Sequence, residues 1–405
     1  MTKFERTRRD WLLGGACLAA STVTWGGLAS RAFRPRTAGL FDDSAPLPAW
    51  AQAVIERHLR LWERGDQDAI VRMRSSNPEW DFMGRTFLVL ALANLAIRQP
   101  ASARRGLDVM NAVISATVAA QARHSMYFFL LPYAHPRPGG ATWRQEPPRS
   151  LFIDGEIAMM LAAFLLVAPR SDPRVPAHRR ALIDRLELIH DQMRAGPVLS
   201  GESYPNECWT FCNTTALVAS RMASALGLKV DAKLPHAWLR TATLELTDPR
   251  TNMLVSSYSW DGGHLDGPEG SSIWMSAYNL ALVDPDYARG QYELAKRALG
   301  RQVLGFGFAR EWPVPAPGSI DVDSGHVIPL LEASPGSSGL AILAARGFRD
   351  QAFWDQLLAS LELAGFPEQH DGTRRYRVSN QIGDAVLAYA LCAGPLWARV
   401  AGTAP

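Results

Sequence analysis

The sequence predicts an all-α protein, an (α/α)6 toroid of about six helical hairpins, and three observations lead there. Apolar residues return at three- and four-residue spacing in one segment after another from Trp50 to Val400. Several of these segments are apolar almost all round, as helices enclosed by other helices are. Period-two alternation, the mark of a half-buried strand, is nearly absent. Helices in consecutive pairs bury such faces as two nested rings. The ring encloses a central cavity lined by the N-terminal ends of the inner helices and the loops that join them.

In chain order, residues 1–32 differ in kind from the rest. A basic stretch ending in TRRDWLL (Thr7–Leu13) leads into Trp11–Ser30, twenty residues without a charge. Arg8 and Arg9 just ahead of the apolar run, and small residues around Ala29 and Ala32 for cleavage, make this a twin-arginine export signal. The alternative is an uncleaved membrane anchor, because twenty apolar residues just span a bilayer. Either reading places the folded part outside the cytoplasm, in the periplasm. Removing the signal takes Cys17 with it and leaves Cys208, Cys212 and Cys392, an odd number and no disulfide framework.

Residues 33–48, rich in Pro and Ala, predict an extended linker. The barrel domain occupies 49–400. Helical periodicity predicts helices over Trp50–Trp62, Phe82–Ile97, Ala103–Ala122, Leu151–Val167, Ala181–Met193 and Thr214–Leu226. It does so again over His236–Leu246, Ser272–Ala281, Tyr287–Leu304, Val327–Ala345, Gln351–Leu363 and Asn380–Val400. Asp-Pro pairs in SDPRVP, TDPRTN and VDPDY mark boundaries, since aspartate caps a helix and proline suits its first turn.

Composition excludes some classes. The chain is 47% hydrophobic and 20% charged over 405 residues, enough to bury a sizeable core. Its net charge is only +3 and its Lys and Arg form no stripe, so nucleic acid is not an expected partner. It carries no Walker A loop, no GxGxxG after a strand, no GxSxG and no HExxH, the usual evidence for nucleotide cofactors, serine hydrolysis or zinc proteolysis.

Several constellations bear chemistry. In SYPNECWTFCN, Cys208 and Cys212 stand at i, i+4 in what reads as a helix beginning near SYPNE. Four readings stay open: small core residues, a disulfide, metal ligands, or a thiol activated by a helix N-terminus. SIDVDSGH offers Asp321 and Asp323 as turn residues or pocket carboxylates. A calcium loop is excluded there, because Gly325 and His326 stand where a ligand and the turn glycine belong. SWDGGHLDGPEG offers Asp261, Asp266 and Glu269, either a solvated loop or a carboxylate pair for glycosidic chemistry. Asp81, between Trp80 and Phe82, is either a helix N-cap or a desolvated carboxyl facing the cavity.

From Glu79 to the last helix the chain resembles the linalool dehydratase/isomerase domain family. The residues that carry the likeness are PNECWTFCNTTALVASRM, LTDPRTNMLVSSY, WMSAYNLAL, DPDYARGQYE, the DVDSG region and FRDQAFWDQLLASLE, in that order. The resemblance implies an (α/α)6 barrel and cofactor-free, metal-free acid–base dehydration or isomerisation of a small allylic alcohol. It also implies a homo-oligomer in which a neighbouring subunit helps close each site. Carried over by position, it places Asp81 on the family's acid from the subunit-closing segment, Cys212 on its second site cysteine and Tyr278 on a pocket tyrosine. Ser203 stands where the first site cysteine would be, Glu156 in place of a histidine and Phe87 in place of a second tyrosine. On this reading Asp81, Glu156, Cys212, Tyr278 and Ser203 are catalytic. Phe87, Phe152, Cys208, Trp209, Asp321 and Asp323 line the pocket, Cys208 in a structural role, and no residue binds metal. The competing expectations are a periplasmic carbohydrate-active enzyme of the same toroid architecture, whose stacking faces the thirteen tryptophans would supply, and a non-enzymatic exported binding protein. A membrane is met only through an uncleaved signal segment.

Overall fold

The computed structural model describes residues 21, 22, 24–37, 39–313, 327, 328 and 330–402. The helices that build the domain are α1 (Ala49–Glu63), α2 (Gln67–Ser76), α3 (Pro78–Arg98), α4 (Ala103–His124), α5 (Leu151–Val167), α6 (Val175–Ala195) and α7 (Thr210–Ala225). They continue with α8 (Leu234–Glu245), α9 (Gly270–Leu280), α10 (Pro285–Leu299), α11 (Pro335–Gly347), α12 (Gln351–Ala364), α13 (Gln381–Cys392) and α14 (Pro395–Ala401).

Six of these form a closed inner ring: α3 packs on α5, α5 on α7, α7 on α9, α9 on α11, α11 on α13, and α13 back on α3. The outer layer is α1, α4, α6, α8, α10 and α12, so the (α/α)6 toroid is the observed fold. The two layers differ as their sequences require. In α5 every residue from Leu151 to Leu165 is buried. In α6 only Leu182, Leu186, Ile189, His190, Gln192 and Met193 are, a stripe at helical spacing that leaves the other side to water.

Chain direction then places the loops. Inner helices pass to outer ones through short links such as 99–102, 281–284 and 348–350. The return connections are long: 125–150, 196–209, 246–269, 300–334 and 365–380. All the long loops therefore gather at the N-terminal ends of the inner helices. They carry three small antiparallel sheets: β1 (Cys208–Trp209), β2 (Ser257–Tyr258) and β3 (His264–Asp266) in one, β4 (Gly300–Val303) with β5 (Phe306–Ala309), and β6 (Pro367–His370) with β7 (Thr373–Tyr376).

The opposite end is plugged, and the expected linker does the plugging. Leu40 and Leu47 are buried. The Arg98 guanidinium, at the end of α3, donates to the carbonyls of Gly39, Leu40, Asp42 and Ala45, the last two at 2.6 and 2.7 Å. Asp43 pairs with buried Arg346 of α11 at 2.5 Å, and the Phe41 ring packs edge-on against Trp354 at 5.2 Å. Residues 39–47 are thus part of the domain, a strap across the C-terminal ends of α3 and α11. Beside it, α14 is anchored where the Leu396 N–H donates to Asn94 Oδ1 at 2.9 Å.

Other expectations shift for local reasons. The helix expected to run from Tyr287 to Leu304 stops at Leu299, where the chain turns into the β4–β5 hairpin. The one expected over Asn380–Val400 breaks at Gly394, whose φ of +132° precedes Pro395. Helix α2, with mostly polar residues, has no counterpart in the periodicity reading.

Candidate functional site

The mouth of the toroid is held by buried carboxylates that fix the loops. Glu202 accepts the backbone N–H groups of Arg144, Gln145 and Asn206 at 2.7 to 3.0 Å, tying loop 125–150 to loop 196–209. Glu311 accepts the Ser271 N–H at 2.8 Å and the Ser334 hydroxyl, joining the starts of α9 and α11. Loop 196–209 is pinned from below as Asn213 Oδ1 accepts the Gly201 N–H at 3.0 Å. Ser203 is thereby set over the first turn of α7, where Cys212 lies.

Below this mouth, polar side chains from four inner helices converge within an aromatic wall. Phe82 and Thr86 lie one turn apart on α3, and Phe152 and Glu156 one turn apart on α5. The Phe82 and Phe152 rings meet edge to face at 5.1 Å, and Phe129 stacks on Phe82 at 4.5 Å. Behind them Glu156 is 1% exposed. Burial pushes its carboxyl up to about 8, and the Thr86 hydroxyl nearby offsets that only in part. The carboxyl is a neutral acid at pH 7. Its Oε2, the Thr86 hydroxyl and the phenols of Tyr278 (α9) and Tyr389 (α13) are buried without hydrogen-bond geometry to any described partner. Tyr278 and Tyr389 stand with ring centroids 6.1 Å apart, and burial raises both phenols. Phe87 stacks on Tyr389 at 6.2 Å, while Trp397 of α14 backs Tyr278 at 4.8 Å. The Tyr278 ring passes so close to Gly347 that a Cβ there would lie 2.2 Å from its edge.

The cysteines separate. Cys208 belongs to strand β1, paired with Tyr258, and α7 begins only at Thr210. The two thiols therefore do not share a helix face as i, i+4 suggests. Cys208, Cys212 and Cys392 are all free and buried, which removes the disulfide reading. Among the described residues no group of three or more His, Cys, Asp or Glu side chains is arranged to hold a metal ion. Nor does the start of α7 activate Cys212: burial pushes its thiol well above the usual value, the Ser203 hydroxyl opposes this, and the Glu156, Glu79 and Glu207 carboxyls reinforce it. Cys212 is a neutral thiol beside Ser203, on the same side of the ring as Glu156.

Asp81 is turned elsewhere. The N-cap of α3 is Asn77, whose Oδ1 accepts the N–H groups of Glu79 and Trp80 at 2.8 and 3.2 Å, so the N-cap reading of Asp81 does not hold. Asp81 makes a two-pronged ion pair with Arg85, at 3.0 and 2.9 Å. It lines a cleft of about 30 Å³ with His58, Trp62, Trp80 and Gln381, between α1, α3 and α13. The carboxylate of α3 that bears on Cys212 is Glu79. Trp209 sits half-buried at the mouth, its indole N–H donating to Glu207, which also accepts the exposed Tyr133 hydroxyl at 3.2 Å. Asp261 and Asp266 accept hydroxyls of Ser259 and Ser257 in their own hairpin, and Glu269 is buried at the start of α9. Asp321 and Asp323 lie outside the described residues.

Thr86, Tyr389 and Glu79 are the participants that sequence reasoning missed. Thr86 and Tyr389 sit in apolar stretches, TFLVLAL and VLAYAL, where a lone polar residue is the available signal.

No protein-family profile matches the sequence. Solved structures similar to the chain include a GH76 α-mannanase of Bacteroides thetaiotaomicron, 12% identical over 78% of this chain and 86% of that one, with a TM-score of 0.45. Another is the unsaturated glucuronyl hydrolase of Bacillus sp. GL1, 12% identical over 76% and 84%, with a TM-score of 0.48. At such identity the likeness concerns architecture, and function has to be argued from the site.

Proposed function

We propose that the chain is an acid–base enzyme that breaks a carbon–oxygen bond, with Glu156 as proton donor, and that its substrate is a small, largely apolar alcohol. The observation that carries this is a carboxyl with one oxygen unpaired, buried among aromatic rings and the hydroxyls of Thr86, Tyr389 and Tyr278, where burial favours the protonated form. The Glu156 carboxyl gives its proton to the substrate hydroxyl, the C–O bond breaks, and water leaves. The carboxylate formed takes a proton from the neighbouring carbon to give an alkene, which returns Glu156 to its starting state. An allylic cation between Phe82, Phe152 and Tyr389 gains from their ring faces. Ser203, the neutral Cys212 thiol and Tyr278 orient the hydroxyl. The resemblance to linalool dehydratase/isomerase points the same way. On that reading Asp81, paired with Arg85, would serve a neighbouring subunit rather than this chain's own Glu156.

The second reading is carbohydrate cleavage, favoured by the mouth, where exposed Tyr133 stacks on Tyr204 at 4.6 Å and shares Glu207 with Trp209. Such an aromatic face beside a carboxylate suits a sugar ring.

The test is anaerobic incubation with linalool, geraniol and myrcene, read by gas chromatography, in parallel with mannan- and uronate-containing oligosaccharides. Terpene turnover that falls about 10² to 10⁴-fold in Glu156→Gln is expected. Turnover of oligosaccharides alone would replace the first reading with the second.

A further inference from the structure

We propose that Phe129 is the door of the Glu156 pocket: its ring, carried on the strained segment 125–131, swings aside to admit the alcohol, and its bulk limits the size of alcohol admitted. This rests on the reading of Glu156 as the proton donor.

The acid is shut in. Glu156 Oε2, the Thr86 hydroxyl and the phenols of Tyr278 and Tyr389 have essentially no accessible surface. Phe82 and Phe152 stand one turn nearer the mouth than Thr86 and Glu156, and Phe129, fully buried, stacks on Phe82 at 4.5 Å. A molecule arriving from the mouth meets these rings before it meets the acid. Phe82 and Phe152 are fixed to inner helices that pack on each other, α3 on α5. Phe129 belongs to a loop, so it is the ring that leaves without breaking the barrel.

Less ties this segment down than its neighbours. Loops 196–209 and 246–269 share the sheet of β1, β2 and β3, while 300–334 and 365–380 carry hairpins. Loop 125–150 has no strand, and its own backbone bonds span single turns, such as Phe129 N–H to the Met126 carbonyl at 3.1 Å. Glu202 fixes its far end at Arg144 and Gln145, so movement falls to the near end. That end begins at Ser125, whose φ of +65° and ψ of −176° form a combination essentially confined to glycine. Such strain persists where surrounding contacts impose it, and here those contacts are side chains. The Arg74 guanidinium carbon lies 3.3 Å from the centre of the Phe128 ring, and the same group donates to the Phe128 carbonyl. The Arg85 guanidinium, held by Asp81, faces the Phe129 ring at 5.3 Å. The Tyr204 hydroxyl accepts the Leu131 N–H at 3.2 Å. A strained backbone held by a few side-chain contacts is the makeup of a segment that opens locally.

The experiment has three readouts on the full chain. The Phe129 and Leu131 amides are expected to exchange with solvent at least about tenfold faster than those of Val255 and Ser259, bonded in loop 246–269, and about tenfold faster again in Arg74→Met. In Phe129→Ala, water reaches Glu156, and the infrared band of its protonated carboxyl, the band missing from Glu156→Gln, is expected to titrate about one pH unit or more below the wild type. The same variant is expected to favour linalool over the smaller dimethylallyl alcohol, by kcat/KM, at least about tenfold more than the wild type does. Phe129→Val, which leaves more of the core filled, serves these two readouts if Phe129→Ala does not fold. If the wild type converts neither alcohol, the proposed reaction fails and with it the size limit, while exchange and the infrared titration, which need no turnover, still decide the door. Slow exchange at Phe129 and Leu131 that Arg74→Met leaves unchanged would overturn the moving segment. An unmoved carboxyl titration would overturn Phe129 as the cover, and an unchanged preference between the alcohols would overturn the size limit.

Discussion

A single burial governs the site at the scale of the residue. Glu156 has its folded pKa raised, to about 8 from 4.5, so the native state keeps a proton that the unfolded chain gives up. The stability this contributes is full below pH 4.5 and is lost as pH rises through 8. Urea unfolding measured across that window is expected to show stability falling with pH in the wild type and a flatter profile in Glu156→Gln. Activity, where the acid form is the reactive one, is expected to fall with an apparent pKa about 8, and no substitution elsewhere in the ring should remove that limb. Cys212 yields the opposite lesson about position. The start of a helix lowers a thiol's pKa, yet desolvation outweighs it here. Reaction of the native protein with a disulfide reagent at pH 7 to 8 is expected to be at least about tenfold slower than after unfolding; fast labelling of Cys212 in the native state would contradict this. The resemblance puts Cys212 and Glu156 in one site, and the structure packs their helices, α7 and α5, against each other. That Glu156 is protonated was not legible in the sequence, because ionisation depends on what surrounds a group rather than on the group.

Among the elements, the strap and α14 matter because both close the bottom of the ring. Arg98→Met removes the donor for four carbonyls, of which that of Leu40 is buried, and leaves Asp43 with Arg346 alone. A loss of about 2–4 kcal/mol is expected by urea denaturation. Trp397→Ala withdraws the ring stacked on Tyr278 and is expected to cost about 3–5 kcal/mol while loosening the phenol. If Tyr278 orients substrate, KM should rise more than kcat falls. Legibility at this scale followed periodicity. The limits of α5 match its apolar run, because a helix buried on every side is apolar throughout its length. The strap was misread as a linker because its stability comes from Arg98 and Arg346, more than fifty and three hundred residues away, as the sequence separations of their bonds record.

For the whole molecule, ring closure joins the first inner helix to the last, α3 against α13. No half of the chain has a complete core of its own. Tryptophan fluorescence and far-UV circular dichroism are therefore expected to report one coincident urea transition; two separated transitions would show that part of the ring survives alone. The same closure brings Thr86, Glu156, Tyr278 and Tyr389, spread over some three hundred residues, to one place on the ring's inside.

By itself the sequence determined the helical pairs, their assembly as a toroid, and the pool of acids, thiols and phenols available to a site. These follow from hydrophobic periodicity and residue chemistry, which are local. Only the tertiary structure decided that Glu156 is buried where its proton is favoured, that Asp81 pairs with Arg85, that Cys208 lies in a strand, and that residues 39–47 pack on the domain. Each of those depends on desolvation and on partners supplied by distant segments, and no window of sequence contains them.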